Sequence, residues 1–395
     1  MSDQTHDSGN GSEREAVPGM PDGNTRRGFL RRSAGVVAAT AGATSVAGAL
    51  GGVAGSALAA TGDSVFPGNA AWDAAVAKYA AGNTLKIGWT PTQGEDFFTA
   101  IEHGAFAQLT EYAELFGLKY TWDTFIPTGF SAVENQISTV QAWVQKGLNA
   151  IMICTAADYA TTQSVFKAAQ AKGTNIYEVN MFAELYPTGS INCVSAIGYD
   201  NNTQAGYLAG EYLKKTLNNK GRIYLVWGSA GNWATSRLAG LKASLKGSGI
   251  EIVGFQRGNY VEDQGLAAAL SLLRHDSNVN GIYAENSEMG VGVSLAVKQL
   301  GLKPWNGTSG IVTITSNGKL SDYQNIQNGT LTAVVNCNPV EQGRQSIIAM
   351  LYHQILGYTP AAVINVPTKV IDKTNYTEPL AYYKWAYTYP LTGGN

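Results

Sequence analysis

Apolar residues along this chain fall into two alternating patterns. Short solid runs bounded by turn formers predict strands buried on both faces. Longer stretches with apolar positions three and four apart predict helices with one covered face. Leu85–Trp89 is the first run. Thr90–Asp96 breaks it, and a helical pattern follows over Phe97–Phe116, with Ile101, Ala105, Leu109, Tyr112 and Leu115 on one side and Gly117 at the stop. Strands are predicted next at Lys119–Thr124, Ala150–Thr155, Asn175–Val179 and near Val194–Gly198, with helices over Ala132–Lys146, Ala160–Ala171 and Thr203–Leu217. The alternation then restarts. Strands are predicted at Arg222–Trp227, Ile250–Gln256, Gly281–Ala284, Ile311–Thr315 and Leu331–Asn336. Helices are predicted over Thr235–Lys246, Gln264–Leu273, Met289–Leu300, Leu320–Gln327 and Val340–Gly357. Such alternation predicts α/β architecture with parallel sheets covered on both faces, and its restart predicts two doubly wound lobes. An amphipathic segment around Trp72–Tyr79 predicts a helix over a domain edge, and the β-prone tail, Val363–Asp372 and Tyr382–Tyr389, predicts a return to an existing sheet.

In open parallel sheets the crevice beyond the strand carboxyl ends is where ligands bind. Here those ends collect amides and aromatic rings. Phe97-Phe98 follows the first strand, Asn180-Met181-Phe182 the fourth, and Tyr199-Asp200-Asn201 the fifth. In the second half come Asn232-Trp233 with Arg237, then Asn259-Tyr260, Glu285-Asn286, Ser316-Asn317 and Asn336-Cys337-Asn338. An amide both donates and accepts, which suits vicinal hydroxyls, and an aromatic face suits the C–H face of a sugar or polyol. Each feature has a plainer account. Asn is an ordinary turn residue, and a Phe pair at a helix start is ordinary first-turn packing. Repetition at successive strand ends is what favours a site.

Composition narrows the picture further. The chain has 395 residues, enough for two full cores, and its 27 basic against 29 acidic residues give a net charge of −2. No nucleic-acid surface is implied, and none is expected. Residues 1–24 are polar and read as disordered; Thr25-Arg26-Arg27-Gly28-Phe29-Leu30 then opens a weakly apolar run to Ala60. The paired arginines resemble the twin-arginine export motif, with cleavage expected near Ala59 and the run too weakly apolar for a good membrane span. Three cysteines, Cys154, Cys193 and Cys337, form no disulfide framework, and the four histidines never approach ligand spacing, so no metal is expected. Gly290-Val291-Gly292 lacks the third glycine of a dinucleotide fingerprint and sits inside a helical pattern, which predicts close helix packing. Neither a phosphate loop nor a Gly-x-Ser-x-Gly elbow occurs, so no catalytic residue or cofactor is assigned.

From Leu85 to about Asp372 the chain resembles the ribose-binding-protein-like group of exported sugar-binding proteins that feed ABC importers. The resemblance is carried by Phe97-Phe98 with Gly104, and by Ile197-Gly-Tyr-Asp-Asn-Asn-Thr-Gln-Ala-Gly206 with Ala209-Gly210. Arg237-Leu-Ala-Gly240-Leu241, Ala284-Glu-Asn-Ser-Glu-Met-Gly290 and Gln327-Asn-Gly329-Thr-Leu331 extend it. It implies a type I periplasmic binding protein fold, two Rossmann-like lobes joined by three crossovers, closing on one ligand. The implied boundaries are 1–60 for the disordered N-terminus and signal, 61–199 plus 338–365 for the first lobe, and 200–337 plus 366–395 for the second. The implied ligand residues are Glu95, Phe97, Phe98, Asn180, Met181 and Asn201, then Arg237, Tyr260, Asn286, Asn317, Asn336 and Cys337. Phe98 and Tyr260 would sandwich the ligand, and Arg237 would donate to paired hydroxyls.

Departures from the group bear on the ligand. Its pentose and hexose binders usually carry Asp-Arg at Asn180-Met181, Asp at Asn317 and often Gln at Cys337. Losing an arginine and two acids leaves a more neutral pocket, pointing to a sugar other than ribose, a deoxy or amino derivative, or a polyol. Glu95, if it faces the cleft, could recognise a basic group. The expected protein is a monomeric, non-enzymatic receptor, periplasmic or otherwise extracytoplasmic, with an ABC permease as partner. A receptor for a sensor kinase or chemoreceptor, and a twin-arginine-exported cofactor enzyme, are the alternatives.

Overall fold

Two six-stranded sheets carry the chain, built in the same strand order. A computed structural model describes residues 70–391 except 130, 156, 158 and 183–190, so the expected export signal lies outside the described residues. After helix α1 (Ala70–Ala80), the first sheet grows from β1 (Thr84–Thr90), α2 (Asp96–Phe116), β2 (Lys119–Thr124), α3 (Val133–Gln145), β3 (Ala150–Ile153), α4 (Tyr159–Ala171), β4 (Asn175–Val179) and β5 (Ser195–Tyr199). The second uses α5 (Asn202–Thr216), β6 (Lys220–Trp227), α6 (Asn232–Leu245), β7 (Gly249–Arg257), α7 (Glu262–His275), β8 (Gly281–Ala284), α8 (Ser287–Gln299), β9 (Val312–Asn317), α9 (Leu320–Asn328) and β10 (Ala333–Asn336). Helix α10 (Pro339–Gln354) and β11 (Val363–Val366) return to the first sheet; β12 (Lys369–Asp372) and α11 (Thr377–Ala386) end the described chain.

The orders are β11-β5-β4-β3-β1-β2 and β12-β10-β9-β8-β6-β7. All pairings are parallel save β12, which runs antiparallel to β10. Each order reverses at its first strand, so the topological switch lies between β1 and β3 in one lobe and between β6 and β8 in the other. Every residue of β3, β5 and β8 is buried, as solid apolar runs require under helices on both faces. The chain passes between lobes three times, at β5–α5, β10–α10 and β11–β12. Two passages hold each other: Asp200 N donates to Thr368 Oγ1 at 3.2 Å, and Thr368 N to Asp200 Oδ2 at 3.1 Å.

Helix α2 runs 21 residues and stops where expected, with Gly117 at φ 68° donating its N–H to Ala113 O at 2.9 Å. Ile101, Ala105, Leu109 and Tyr112 are buried; Leu115 is instead 49% exposed, while Phe116 stacks on Tyr112. The glycines of the resemblance motifs hold helix crossings. A Cβ on Gly104 would lie 2.0 Å from Val340 O, and one on Gly206 would lie 1.8 Å from Arg237 O. Gly290 and Gly292 likewise sit in α8 against Thr315 and Glu262 O, so that Gly-x-Gly is helix packing, as its pattern predicted.

The tail departs from expectation. Val363–Val366 and Lys369–Asp372 are strands, but the stretch expected as strand over Tyr382–Tyr389 begins inside α11. The aromatic spacing fits a helix that touches both lobes. Tyr383 meets Tyr323 edge-on at 5.1 Å, Tyr387 stacks on His103 at 3.8 Å, and Trp385 Nε1 and Tyr389 Oη donate to Glu111 at 3.2 and 3.3 Å. Ring packing on two sides outweighs the β propensity of the segment.

Candidate functional site

The carboxyl ends of both sheets face one another across a single cavity enclosing about 440 Å³, its open mouth included. The first lobe lines it with Glu95, Phe97, Phe98, Asn180 and Tyr199, and the second with Trp233, Arg237, Tyr260, Asn286 and Asn317. Eight of the twelve residues implied by the resemblance are therefore brought together.

Four are not. Met181 packs in an apolar cluster with Ile176 and Ala196. Asn201 caps α5, its Oδ1 accepting from Gln204 N at 2.6 Å. Asn336 Oδ1 accepts from Asn338 N at 2.7 Å and turns the chain into α10. Cys337 is wholly buried in the main core. Asn336 is the last residue of β10 and the other three lie one or two positions beyond a strand end, yet none of the four lines the cavity. Two lining residues were not assigned. Tyr199 lies inside a quoted motif as the last residue of β5, and Trp233 is the second residue of α6, two after Gly231; their signal was an aromatic ring at or shortly after a strand's carboxyl end.

Turn geometry and site turn out to be one feature. Asn180, Tyr260 and Asn317 all adopt left-handed backbone, with φ of 58°, 65° and 104°. For a bulky Tyr that conformation costs about 1–3 kcal/mol and persists only where surroundings fix it. Asn286 supplies the fixing. It caps α8 by accepting from Met289 N at 3.0 Å, while its Nδ2 donates to Tyr260 O at 3.1 Å and Glu288 Oε2 at 2.6 Å. Its polar atoms are thus committed, and it positions the ring opposite.

Arg237 is buried and holds the cavity floor. Nε donates to Asn202 Oδ1 at 3.0 Å, one terminal nitrogen donates to Glu285 O, and the other donates to Tyr199 Oη at 3.1 Å and Asn317 Oδ1 at 3.0 Å. Four of its five N–H groups are thereby used, leaving one for a ligand. The expected donation to paired hydroxyls therefore reduces to a single bond in this geometry. Across the rim, Lys319 Nζ joins the lobes, 3.0 Å from Asp96 Oδ2 and 3.3 Å from Glu288 Oε1.

Acids around the cavity are hard to ionise. Burial, then the neighbouring Glu288 charge, pushes the Glu95 carboxyl up to about 8. Burial pushes Glu285 up to about 8 and Asp322 up to about 7. From pH 6.5 to 8.5 the native state keeps protons that the unfolded chain has released, so unfolding free energy falls as pH rises. His103 and His353, held below their usual value by burial, act in the opposite sense below that window and at its lower edge, fading as pH rises through it. By scanning calorimetry, the Tm of the unliganded protein is expected to decline across it. A flat profile would mean those carboxyls are ionised in the folded protein. Among the described residues no group of three or more His, Cys, Asp and Glu is placed to hold a metal ion.

A family model described as a periplasmic binding protein domain matches residues 87–358. The chain is 27% identical over 292 residues to a D-ribose/D-allose-binding protein of Pseudomonas aeruginosa, covering 70% of this chain and 85% of that one. It is 26% identical over 273 residues to a galactofuranose-binding protein of Escherichia coli, covering 67% and 81%. A periplasmic solute binding protein of an ABC transporter from Actinobacillus succinogenes, solved with D-allose, superposes with a TM-score of 0.64 at 21% identity, covering 74% of this chain and 99% of that one. This last likeness concerns the fold.

Proposed function

The chain belongs to the periplasmic binding protein domain family, and from that premise we propose that it is an exported receptor that captures a small sugar or polyol and delivers it to an ABC importer. One observation carries the proposal: the strand ends of both lobes converge on a single cavity that combines aromatic rings with a buried arginine. The names of the relatives, sugar-binding proteins, support the ligand class. In this reading residues 1–60 hold the twin-arginine export signal. Residues 61–199 with 338–365 form the first lobe, and 200–337 with 366–395 the second. The mature protein works outside the cytoplasm as a monomer, without a cofactor, and releases its ligand unchanged.

Micromolar capture needs about 8 kcal/mol net. Ring stacking on Phe98 and Tyr260 plus a few desolvated hydrogen bonds can supply that without chemistry. Closure of the lobes would exclude water from those bonds and create the form a permease recognises.

Gly228 offers a test that spares the cavity's own side chains. A Cβ there would lie 2.0 Å from Tyr260 Cζ, so Gly228→Ala must drive the ring out of its place. Calorimetric titration with D-allose, D-ribose, D-galactose and myo-inositol is expected to give one-to-one binding of at least one, weakened about tenfold or more in Gly228→Ala, with Tm little changed. Turnover of the bound compound, or undiminished affinity in the variant, would overturn the reading.

A further inference from the structure

On the reading that the cleft holds a sugar-like or polyol ligand, we propose that this ligand carries a protonated amine, seated on the Glu95 side of the cavity that Asn180 and Tyr260 also line. The cavity wall there offers polar atoms that have no partner in the protein. Asn180 is 7% exposed, and its Oδ1 has no hydrogen-bond partner. Its Nδ2 reaches only the Cys154 sulfur, at 3.9 Å. The Tyr260 hydroxyl is buried and also without a partner. Glu95 stands at the N-cap position of α2, yet its side chain makes no capping bond and turns into the cavity. One of its oxygens accepts from Gln93 Nε2; the other makes no hydrogen bond among the described residues.

Glu95, Asn180 and Tyr260 all line the one cavity. A ligand hydroxyl has one proton to give and can satisfy only one of the two acceptors, the Glu95 carboxylate and Asn180 Oδ1. An ammonium has three.

Charge favours the same guest. Glu95 faces Glu288 from α8, Arg237 from α6 and Lys319 from the β9–α9 turn, with Asp96 beside it. Neither cation serves Glu95 directly. Lys319 is committed to Asp96 and Glu288, and Arg237 spends four N–H groups on Asn202, Glu285 O, Tyr199 and Asn317. A ligand ammonium on this side of the cavity would be the only direct counter-charge Glu95 receives. The ligand's hydroxyls are left for the remaining N–H of Arg237 and for Asn317. Phe97, Phe98 and Trp233 add ring surface, on which a cation is also stabilised.

Matched pairs separate this proposal from the reading beneath it. The probes are D-glucose with D-glucosamine, D-galactose with D-galactosamine, and myo-inositol with its monoamino analogue, titrated calorimetrically into the full chain. In at least one pair the amine is expected to bind about tenfold or more tighter than its neutral partner. The ionised carboxylate is the form that pairs with the ammonium, and Glu95 is held up to about 8. Amine affinity should therefore fall about tenfold per pH unit below that value, while the neutral partner's stays flat. Glu95→Gln, verified as folded by its melting curve, is expected to bring the amine-to-neutral ratio within about twofold. If neutral members bind at least as tightly in every pair, or if Glu95→Gln keeps the ratio, the amine proposal falls and the receptor reading stands. If no member of any pair binds, the receptor reading falls and takes this proposal with it.

Discussion

Arg237→Ala should abolish measurable capture of any ligand and lower the melting temperature by roughly 10 °C. The expected size follows from what the guanidinium connects. Asn202 and Asn317 in the second lobe, Tyr199 at the end of β5 in the first, and the Glu285 carbonyl all accept from it. Truncation strands several buried acceptors at once, at about 1–3 kcal/mol each before relaxation. The same bonds fix Tyr199 and Asn317 as cavity walls, so capture fails for want of shape as well as for want of a donor. Arg237→Lys keeps the charge but presents its donors from one point, and cannot span the acceptors. It should recover little of either loss. Tyr199→Phe removes a single acceptor and should cost much less. Titration and scanning calorimetry on the three variants check this. Arg237→Ala binding within threefold of wild type would show that the arginine neither donates to the ligand nor shapes the cavity.

The order of the elements could be read from the sequence because each one obeys local physics. β3, β5 and β8 are buried throughout and so read as solid apolar runs, and α2 carries its covered face at helical spacing to a glycine stop. The site was legible at the level of strand ends and blurred by one or two residues. Asn180 and Asn317 reach the cavity because their backbone is left-handed, whereas Asn201 and Asn336 spend their side chains on caps and turns. All four look alike as letters. The Asn201…Gln204 spacing did hold a capping signal, and Cys337 beside an apolar strand held a core signal. The helix over the tail was illegible because its cause is non-local: its rings find partners in α2 and α9, far away in sequence.

The glycines at helix crossings teach a different lesson, and Gly343, in none of the resemblance motifs, predicts a second large loss of stability. Helices α2 and α10 cross with their backbones in contact. Gly343 faces Ile101 O, which a Cβ would approach to 1.8 Å, and Gly104 faces Val340 O at 2.0 Å. Neither obstacle is a side chain able to swing aside; both are helix carbonyls already bonded within their turn. Gly343→Ala must therefore push the helices apart along a crossing that buries Ile101, Ala105, Ile347 and Met350. Overpacking of this kind costs about 3 kcal/mol or more, against a gain of up to about 1 kcal/mol from replacing a mid-helix glycine. The net expectation is a fall in melting temperature of roughly 5–10 °C. Gly82→Ala is the matched control, since nothing lies within 4 Å of the added methyl and its backbone is ordinary. It should move Tm by no more than about 1 °C. The displaced α2 also carries Glu95, Phe97 and Phe98 at its start, so ligand affinity should fall in Gly343→Ala and hold in Gly82→Ala. Equal melting temperatures for the two variants would mean the crossing has slack that its geometry denies, and the helices could then no longer be regarded as the rigid mount of the first-lobe wall.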